Sequence, residues 1–390
     1  MLDFTEKKKK ENGLRFDLVL FISVLVISGF GLLVIYSATK YSLPGGITDS
    51  AFYLKKQGFW VITGLVLFLL TQIFNYRKLK KYFWLAIIIN IGLLVSVLIF
   101  GYEVHGSKSW IDLGFSSFQP SEVSKVLMVV TVAAAFSKLK GEKENRIGFK
   151  KVMLSAAIAF SCMGLVIMQN DFGTALIFYL VYMGMLFVSG ANLLYFISFL
   201  GLSAGGIFLG LNLGIIKQYQ LDRILVFLKP NIQEGGAGYN LYQSKLAIGS
   251  GELFGQGLFL GKQTNLNYVP EHQTDFIFSV VGEELGFAGG AFVILMLALI
   301  IWRCLVIARK ATDGFGALIA SGIAFILLSQ MIINIGMTIG IMPIIGIPLP
   351  FLSYGGSGLV SLFIGIAIVE NIYRNRELRK YHEIAYEEFD

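Results

Sequence analysis

Charged residues are scarce in this chain. Of its 390 residues, 15% are Asp, Glu, Lys or Arg and 55% are hydrophobic, and the mean hydropathy is +0.71. A soluble protein carries about a quarter charged residues, so this composition excludes a soluble globular fold. Apolar stretches of roughly twenty residues recur along the chain, and each is long enough to cross a bilayer. The sequence therefore predicts an all-α polytopic membrane protein.

Cysteine and the usual cofactor motifs are also scarce. Cys162 and Cys304 are the two cysteines, and both lie in apolar stretches, which argues against a disulfide framework or a cysteine metal cluster. His105 and His272 are isolated and lack the spacing of zinc ligands. The segment GSGELFGQG lacks the preceding strand of a nucleotide-binding loop, so ATP-driven transport has no support. The net charge of +7 does not indicate nucleic acid, because the basic residues follow the membrane topology.

About ten transmembrane spans organise the chain. A basic tail at 1–16 precedes a membrane domain at 17–373, which includes a large outer loop at 217–275, and a second tail follows at 374–390. The first apolar run is too long for a signal peptide, so we interpret it as an uncleaved helix. The long loop contains YNLYQSKLAIGSGELFG, which indicates a short amphipathic helix. The spans are predicted at 17–36, 57–75, 82–101, 121–138, 152–169, 173–190, 194–216, 278–302, 315–342 and 357–373.

The positive-inside rule sets the orientation. With the N-terminus in the cytoplasm, most of the 32 basic residues fall in cytoplasmic loops and tails. An even number of spans returns the C-terminus to the cytoplasm and leaves the loop between spans seven and eight outside. The polar motifs then face outward, and they are HGSKSWIDLG, QPSEVSK, QNDFGT, VPEHQTDFIFSVVGEELG and PIIGIPLPFLSYGGSG.

Two of these motifs place charges at the start of a span. In QPSEVSK, Glu122 and Lys125 share one helix face, and each costs roughly 3 kcal/mol if left alone at the bilayer centre. A structural ion pair and a pair that faces a wet cavity both account for them. In QNDFGT, Asp171 lies in a tight turn, where it either binds a cation or hydroxyl or caps the next helix.

The remaining motifs indicate a site at the outer boundary. Prolines and glycines interrupt PIIGIPLPFLSYGGSG, and irregular backbone at membrane depth lines protein or a water-filled cavity, often a substrate site. Asp275 stands where the long loop meets the eighth span, so it is either a desolvated general base or a helix N-cap. Glu283 and Glu284 are adjacent and cannot share one helix face, so we expect at most one of them to point into the bundle centre. These patterns predict an outward-facing polar site without separating a transporter from an enzyme that acts on a lipid-linked substrate.

The ordered motifs together resemble those of the SEDS family (shape, elongation, division and sporulation). The matching segments are GSKSWIDLGFSSFQPSEVSK, QNDFGTA, GYNLYQSKLAIGSGELFGQG, VPEHQTDFIFSVVGEELG and NIGMTIGIMPIIGIPLPFLSYGGSG, and the resemblance covers nearly the whole chain. It implies a ten-span peptidoglycan glycosyltransferase of the bacterial cytoplasmic membrane. Such an enzyme polymerises lipid II, an undecaprenyl-pyrophosphate-linked disaccharide pentapeptide, on the outer face. Its implied partner is a class B penicillin-binding protein that crosslinks the strands, in contact with membrane lipid.

The resemblance also implies residue roles. The essential loop aspartate of the family corresponds to Asp275, which would take the proton of the acceptor 4-hydroxyl as that oxygen attacks the donor anomeric carbon with inversion. The negative charge of the leaving pyrophosphate needs stabilisation by a cation. The candidates are Lys125, Lys108, Arg223 or a divalent cation such as Mg²⁺ or Mn²⁺, and no other cofactor is assigned. The expected substrate-binding residues are Glu122, Lys125, Lys108, Trp110, Gln119, Asp171, Arg223 and Ser353.

Three positions depart from the family pattern. The family has His directly before Thr-Asp, whereas this chain has His272-Gln273-Thr274-Asp275. Its QPD becomes Gln169-Asn170-Asp171, and its YGGSS ends in Gly358, which removes one hydroxyl. GIPLPF and the short C-terminal tail favour an elongation-type, RodA-like member over a division-type, FtsW-like one.

Two other classes of function compete with the enzyme. A lipid II flippase would use polar groups along a path through the bilayer, whereas the polar groups predicted here cluster in the outer half. A non-catalytic scaffold for the penicillin-binding protein leaves the embedded charges without a purpose. The glycosyltransferase is therefore the favoured hypothesis.

Overall fold

Apolar runs form long helices, joined by short polar or glycine-containing turns. The structure is a computed structural model that describes residues 16–41, 49–104, 106–114, 116–138, 147–212 and 236–387. Its helices are α1 (Leu18–Thr39), α2 (Phe52–Thr71), α3 (Arg77–Lys81), α4 (Phe83–Phe100), α5 (Pro120–Lys138), α6 (Phe149–Met168), α7 (Phe172–Val188), α8 (Leu193–Asn212), α9 (Ala237–Ser250), α10 (Lys262–Asn265), α11 (Ile277–Arg309), α12 (Gly314–Ile339) and α13 (Gly356–Glu387).

The long helices confirm an all-α, multi-pass membrane protein. Within the described ranges, nine helices are long and apolar enough to cross a membrane, and α7 is a shorter apolar helix between two of them. Helices α5 and α12 are the most enclosed, because 83% and 72% of the residues in their apolar stretches are buried. Helix α8 lies at the periphery, where 6% of its apolar stretch is buried. The last helix continues to Glu387, beyond the predicted end of the membrane domain at residue 373.

A small antiparallel sheet follows α4, which the sequence analysis did not predict. Its strands are β1 (Tyr102–Val104), β2 (Ser107–Asp112) and β3 (Ser117–Phe118), in the order β1-β2-β3. The sheet docks on the turn after α6, where the amide of Lys108 donates to Gln169 O at 2.9 Å. It therefore lies at the same end of the bundle as the C-terminus of α6 and the N-termini of α5 and α7. We call this the site end.

The eighth span is bent, and the long loop supports the bend. Gly286 has φ 64° and ψ −158° inside α11, a conformation that glycine adopts readily. The segment 252–257 folds back along α11 and supplies backbone partners around the bend. Its hydrogen bonds are Gln256 N to Glu283 O at 3.0 Å, Gly257 N to Glu284 O at 3.0 Å, Phe287 N to Glu252 O at 2.9 Å and Ala288 N to Leu253 O at 3.0 Å. The described part of the loop thus packs on the bundle, and α9 within it confirms the predicted short helix.

Glu283 and Glu284 do not share a helix face, as expected, yet both carboxylates are buried, because each meets a different neighbour. Glu283 accepts from the amides of Gln263 and Thr264 at 2.6 and 3.0 Å and from Thr264 Oγ1 at 2.6 Å. Glu284 accepts from Ser37 Oγ at 2.7 Å. The loop that folds back along α11 supplies Glu283 with its donors, while α1 supplies the donor for Glu284, so adjacent residues on one helix are both satisfied.

A second group of buried charges lies at the opposite end of the bundle, which we call the tail end. Asp17 caps α1, and its carboxylate accepts from Arg303 Nε at 3.1 Å. The Asp17 amide donates to Glu370. These three residues connect α1, α11 and α13 where the polar tails begin.

Candidate active site

The turn that carries Asp275 (residues 272–275, the HQTD turn) is held by distant parts of the chain. The carbonyls of its last three residues each accept a hydrogen bond from a different donor. These bonds run from Tyr354 N to Gln273 O at 2.9 Å, from Ser353 Oγ to Thr274 O at 2.6 Å, and from Asn334 Nδ2 to Asp275 O at 2.8 Å. The position of Asp275 is therefore set by α12 and by the irregular chain before α13.

The Asp275 side chain is half-buried and lies against a glycine. A methyl group added to Gly346 would come within 3.1 Å of Asp275 Oδ2, and Gly346 has φ +73°. Glycine is the residue that adopts this backbone without strain, so it lets the carboxylate approach the main chain. The N-cap of α11 is Phe276, so the alternative of Asp275 as an N-cap is not realised.

Glu122 and Lys125 form a buried ion pair in the first turns of α5. Lys125 Nζ lies 2.8 Å from Glu122 Oε1, and the two side chains are 3% and 5% exposed. Glu122 Oε2 is buried and has no hydrogen-bond partner among the described residues. A methyl group added to Gly358, in the first turn of α13, would lie 3.3 Å from this oxygen. The pair thus contacts the N-terminus of the last helix.

Asp171 caps α7, as one of the two predicted alternatives requires. Its carboxylate accepts from Thr174 N at 3.0 Å and Thr174 Oγ1 at 2.9 Å, and Gln119 Nε2 donates to it at 3.3 Å. Burial raises the pKa of Asp171, while the Thr174 hydrogen bonds and the charge of Lys125 oppose the rise and the charge of Glu122 adds to it. The Glu122–Lys125 pair is therefore within electrostatic reach of Asp171.

One irregular segment contacts three of the other motifs at the site end, QPSEVSK, QNDFGT and the HQTD turn. Residues 343–355 are non-helical and continue into α13, which confirms the predicted break, and we call 343–358 the bridging segment. Its contacts are Ile345 against Gly173, Gly346 against Asp275, Gly358 against Glu122, and Ser357 Oγ, which accepts from Gln119 N at 3.4 Å. The bridging segment brings together motifs that are more than 150 residues apart in the chain.

Three more of the predicted site residues are described by the structure, and each contacts another part of the chain. Lys108 Nζ donates to Leu98 O near the end of α4 at 2.7 Å, and Trp110 pairs with Tyr102 across the hairpin. Ser353 Oγ is engaged twice, because it also accepts from Leu349 N at 2.7 Å. This geometry favours a positioning role for Ser353 over contact with substrate. Arg223 lies outside the described residues.

Sequence reasoning missed two buried amides that hold the site. Asn334 donates to Asp275 O and to Ile347 O at 2.7 Å. Gln57 donates to Ser353 O at 3.2 Å and accepts from Gly355 N at 3.2 Å. Both are polar side chains within apolar spans, which is the signal that could have marked them.

The described residues do not form a protein cage for a metal ion. No group of three or more His, Cys, Asp or Glu side chains in these ranges is close enough to hold one. The site carboxylates Glu122 and Asp171 already have a lysine and a helix N-terminus as partners. A divalent cation at this site would depend on ligands from the pyrophosphate itself.

Comparison with known proteins identifies the family. The FtsW, RodA and SpoVE family, described as cell cycle protein, matches residues 17–378. The chain belongs to this family. Stage V sporulation protein E of Bacillus subtilis (strain 168) is 36% identical, over 92% of this chain and 97% of that protein. The probable peptidoglycan glycosyltransferase FtsW of Trichlorobacter lovleyi is 36% identical, over 92% and 93%. The peptidoglycan glycosyltransferase MrdB of Escherichia coli (strain K12) is 34% identical, over 97% and 99%.

Solved structures share the fold. A chain from a peptidoglycan synthase complex that coordinates polymerization and crosslinking has a TM-score of 0.77 at 27% identity, over 93% of this chain and 99% of that one. The rod shape determining protein RodA of Thermus thermophilus has a TM-score of 0.69 at 27% identity, over 94% and 99%. Relatives of the sporulation, FtsW and MrdB types match at similar identity, so the elongation-type assignment stays a prediction.

Proposed function

We propose that this member of the family polymerises lipid II into glycan strands on the outer face of the bacterial cytoplasmic membrane, with Asp275 as the general base. Peptidoglycan glycosyltransferase is the activity that its relatives carry in their names. The proposed roles of these residues rest on the bridging segment, which contacts Asp275 at Gly346 and Glu122 at Gly358. A base and an ion pair thus flank one irregular stretch of backbone.

The proposed step is an inverting displacement. The 4-hydroxyl oxygen of the acceptor sugar forms a bond to the anomeric carbon of the donor, and the bond from that carbon to the pyrophosphate oxygen breaks. The hydroxyl proton moves to the Asp275 carboxylate, and the electron pair leaves with the undecaprenyl pyrophosphate. A positioned base of this kind typically contributes about 10²–10⁴-fold to the rate.

The surroundings of Asp275 suit a base. Its carboxylate is half-buried, which leaves it reachable from the aqueous side while part of its hydration is removed. The hydrogen bonds that fix the HQTD turn hold its backbone, so the carboxylate is oriented before substrate binds. Such preorganisation avoids a cost of ordering during the reaction.

Lys125 is the cationic candidate that the geometry favours for the pyrophosphate. Its charge acts on Asp171 and is held by Glu122, beside the bridging segment. Lys108 Nζ is already bonded to Leu98 O.

A cleft of about 100 Å³ lies beside the Glu122–Lys125 pair, and its apolar side chains suit part of a prenyl chain. It is lined by Trp60, Leu113, Ser116, Ser117, Phe118, Val123, Gly356, Ser357 and Val360.

A class B penicillin-binding protein is the proposed partner, because the chain shares its fold with a member of a peptidoglycan synthase complex that couples polymerization to crosslinking. The elongation role remains our preferred assignment from GIPLPF, with division as the alternative.

The flippase hypothesis has less support from the packing. Buried charges occur at both ends of the bundle, but α11 places apolar residues between Glu284 and Arg303. Val293, Leu297 and Ile300 are each fully buried there. From the bend at Gly286 to Arg303, α11 advances 17 residues, roughly 25 Å of helix, which is close to the thickness of the hydrocarbon core. In the described part of the bundle, the two charged groups are therefore separated by apolar packing.

The test separates the classes of function. The full-length chain with its class B partner is reconstituted in liposomes that carry labelled lipid II in both leaflets, and both glycan strands and lipid II translocation are measured. The proposal predicts strands without added translocation. Translocation without strands would replace the enzyme by the flippase, and neither product would favour the scaffold.

A further inference from the structure

Lys245 is an exposed lysine of α9 that lies against a glycine at the site end. A methyl group added to Gly340 would come within 2.2 Å of Lys245 Cε and 2.5 Å of its Nζ. Gly340 is the C-cap of α12, so the end of that helix leaves space for the side chain. No carboxylate of the described residues forms an ion pair with this ammonium. Lys245 is therefore a cation that a ligand can use.

The residue before Lys245 fixes α9 to the bundle. Ser244 Oγ donates to Thr338 O of α12 at 2.8 Å and lies 2.6 Å from Ser279 Oγ of α11. A buried apolar cluster also joins α9 to the chain around the HQTD turn and to the bridging segment, and its members are Leu241, Ala247, Val269, Phe276 and Ile344. The backbone of Lys245 thus has a fixed position relative to Asp275.

Lys245 and Asp275 lie at different levels of α12. Asn334 binds Asp275 O, whereas Lys245 contacts Gly340, six residues farther along the same helix. Six residues correspond to about 9 Å along a helix axis. A group bound at Lys245 is therefore well separated from the atoms that react beside Asp275.

The proposed reaction brings two pyrophosphates to the site. Donor and acceptor are both lipid-linked, but the bond from sugar to pyrophosphate breaks only in the donor. The donor pyrophosphate is attached to the carbon under attack, so it lies close to the base. The acceptor pyrophosphate stays attached, and two sugar rings separate it from the attacking 4-hydroxyl. A second cation, at a distance from the base, suits this second pyrophosphate.

The surface around Lys245 resembles a bilayer boundary. Tyr239, Tyr242 and Leu246 are 37%, 45% and 41% exposed on α9, at spacings that share one helix face, and Ile341 after α12 is 68% exposed. Tyrosine is enriched at the level of the lipid headgroups, where the ammonium of a lysine reaches the phosphates while its stem covers apolar surface. A phosphate is therefore the anion that we expect here.

We propose that Lys245 binds the pyrophosphate of the acceptor substrate, the one that does not leave during the reaction. The identity of this lipid rests on the proposed function. Lys125 is paired with Glu122 and its side chain is 3% exposed, so the two lysines differ in access as well as in distance from the base. The segment YQSKLAIG thereby gains a role in substrate binding.

A titration with undecaprenyl pyrophosphate tests the site without turnover. The full-length chain is placed in phosphatidylcholine nanodiscs, and we expect two binding events in the wild type. Lys245→Gln should weaken one event roughly tenfold, the loss of one charge-assisted hydrogen bond, and Lys245→Arg should retain it. Lys262→Gln, at an exposed lysine of α10, should match the wild type. Equal titrations for Lys245→Gln and Lys262→Gln would overturn the proposal, whether or not the chain polymerises lipid II.

Phosphatidylglycerol distinguishes the substrate from ordinary lipid phosphates. When the nanodiscs contain this anionic lipid, we expect the event that depends on Lys245 to persist. Loss of the event would assign Lys245 to phospholipid headgroups in general and overturn a substrate site.

Steady-state kinetics separate the two pyrophosphates. A contact that is equal in the ground state and the transition state lowers KM and leaves kcat unchanged. We therefore expect Lys245→Gln to raise the KM for lipid II roughly tenfold at the wild-type kcat. A lower kcat with unchanged KM would assign Lys245 to the leaving pyrophosphate and contradict the proposal. Lower thermal stability with unchanged kinetics would leave only an interaction with the dipole of α12 and would also contradict it.

A glycine variant tests the same site without removing the lysine. Gly340→Ala and Gly190→Ala both place alanine at a positive φ, +81° and +78°, but a methyl group at Gly190 meets no atom within 4 Å. We expect Gly340→Ala to displace the Lys245 ammonium and raise the KM for lipid II, and Gly190→Ala to leave it unchanged. Equal KM values for these two variants would contradict a binding role that depends on the seated lysine.

Discussion

The two ends of the bundle both bury charges, but they do so in different ways. At the tail end, Arg303 and Glu370 lie on regular helices, and both bind Asp17, which caps α1. At the site end, the half-buried Asp275 lies against Gly346 in non-helical backbone, and Glu122 lies against Gly358 where this segment enters α13. Burial of charge alone therefore does not distinguish a site from a structural lock. A site is distinguished from a structural lock by irregular backbone beside a carboxylate that substrate can reach.

The largest expected effect comes from breaking the ion pair at the site end. Lys125→Met leaves Glu122 as a buried, uncompensated charge, which costs about 3–5 kcal/mol. We expect both the free energy of unfolding in detergent and the polymerisation rate to fall sharply.

A double variant separates the two losses. Glu122→Gln together with Lys125→Met removes both charges, and we expect it to recover most of the stability without recovering activity. Full activity in the double variant would make the pair a structural lock like the one at the tail end.

Breaking the tail-end group should affect stability alone. Arg303→Met deprives the buried Asp17 of its charged partner, at a cost of about 3–5 kcal/mol. We expect the polymerisation rate per folded molecule to stay near that of the wild type. Leu305→Met, at a 39% exposed position on the same helix, is the control for a change at this end. A loss of activity per folded molecule in Arg303→Met would remove the contrast between the two ends.

A smaller change at the bridging segment should affect activity more than stability. Gly346→Ala introduces a methyl group 3.1 Å from Asp275 Oδ2 at a positive φ, and displacement of a reacting group by about 1 Å costs about a hundredfold in rate. We expect a polymerisation rate lower by about that factor. Gly164→Ala, which meets no atom within 4 Å, should leave the rate unchanged. Equal rates for the two variants would mean that Gly346 does not position Asp275.

The smallest expected effect is a gain in stability. Gly358→Ser puts a hydroxyl beside Glu122 Oε2, which has no partner among the described residues, and the new hydrogen bond should add about 1 kcal/mol to the free energy of unfolding. Gly358→Ala adds the carbon without the donor and should not stabilise. If the serine and alanine variants have the same stability, the hydroxyl does not reach the carboxylate.

The sequence predicted the features that depend on local pattern. Apolar runs marked the spans, and the prolines and glycines of 343–358 marked the break before α13. The structure was needed to decide whether Asp171 caps a helix or binds a ligand, because both roles place it in the same turn. The roles of Asn334 and Gln57 also escaped prediction, since their partners lie far along the chain at Asp275 and Ser353.

The loop that folds back along α11 was the least predictable part of the fold. Glu283 and Glu284 are both buried because residues 252–264 fold back onto α11 and because Ser37 lies nearby. Neither contact leaves a periodic signal in the sequence. The small sheet after α4 was missed for a similar reason, because its strands are short and end at glycines and loops.

The most direct test of the account compares binding and turnover in Asp275→Asn. Lipid II binding and glycan formation are measured on the same purified sample, with the class B partner present and with Glu271→Gln, an exposed carboxylate of the same loop, as the control. The account predicts that Asp275→Asn binds lipid II like the wild type and polymerises it about 10²–10⁴-fold more slowly. Polymerisation at the wild-type rate would contradict Asp275 as the base.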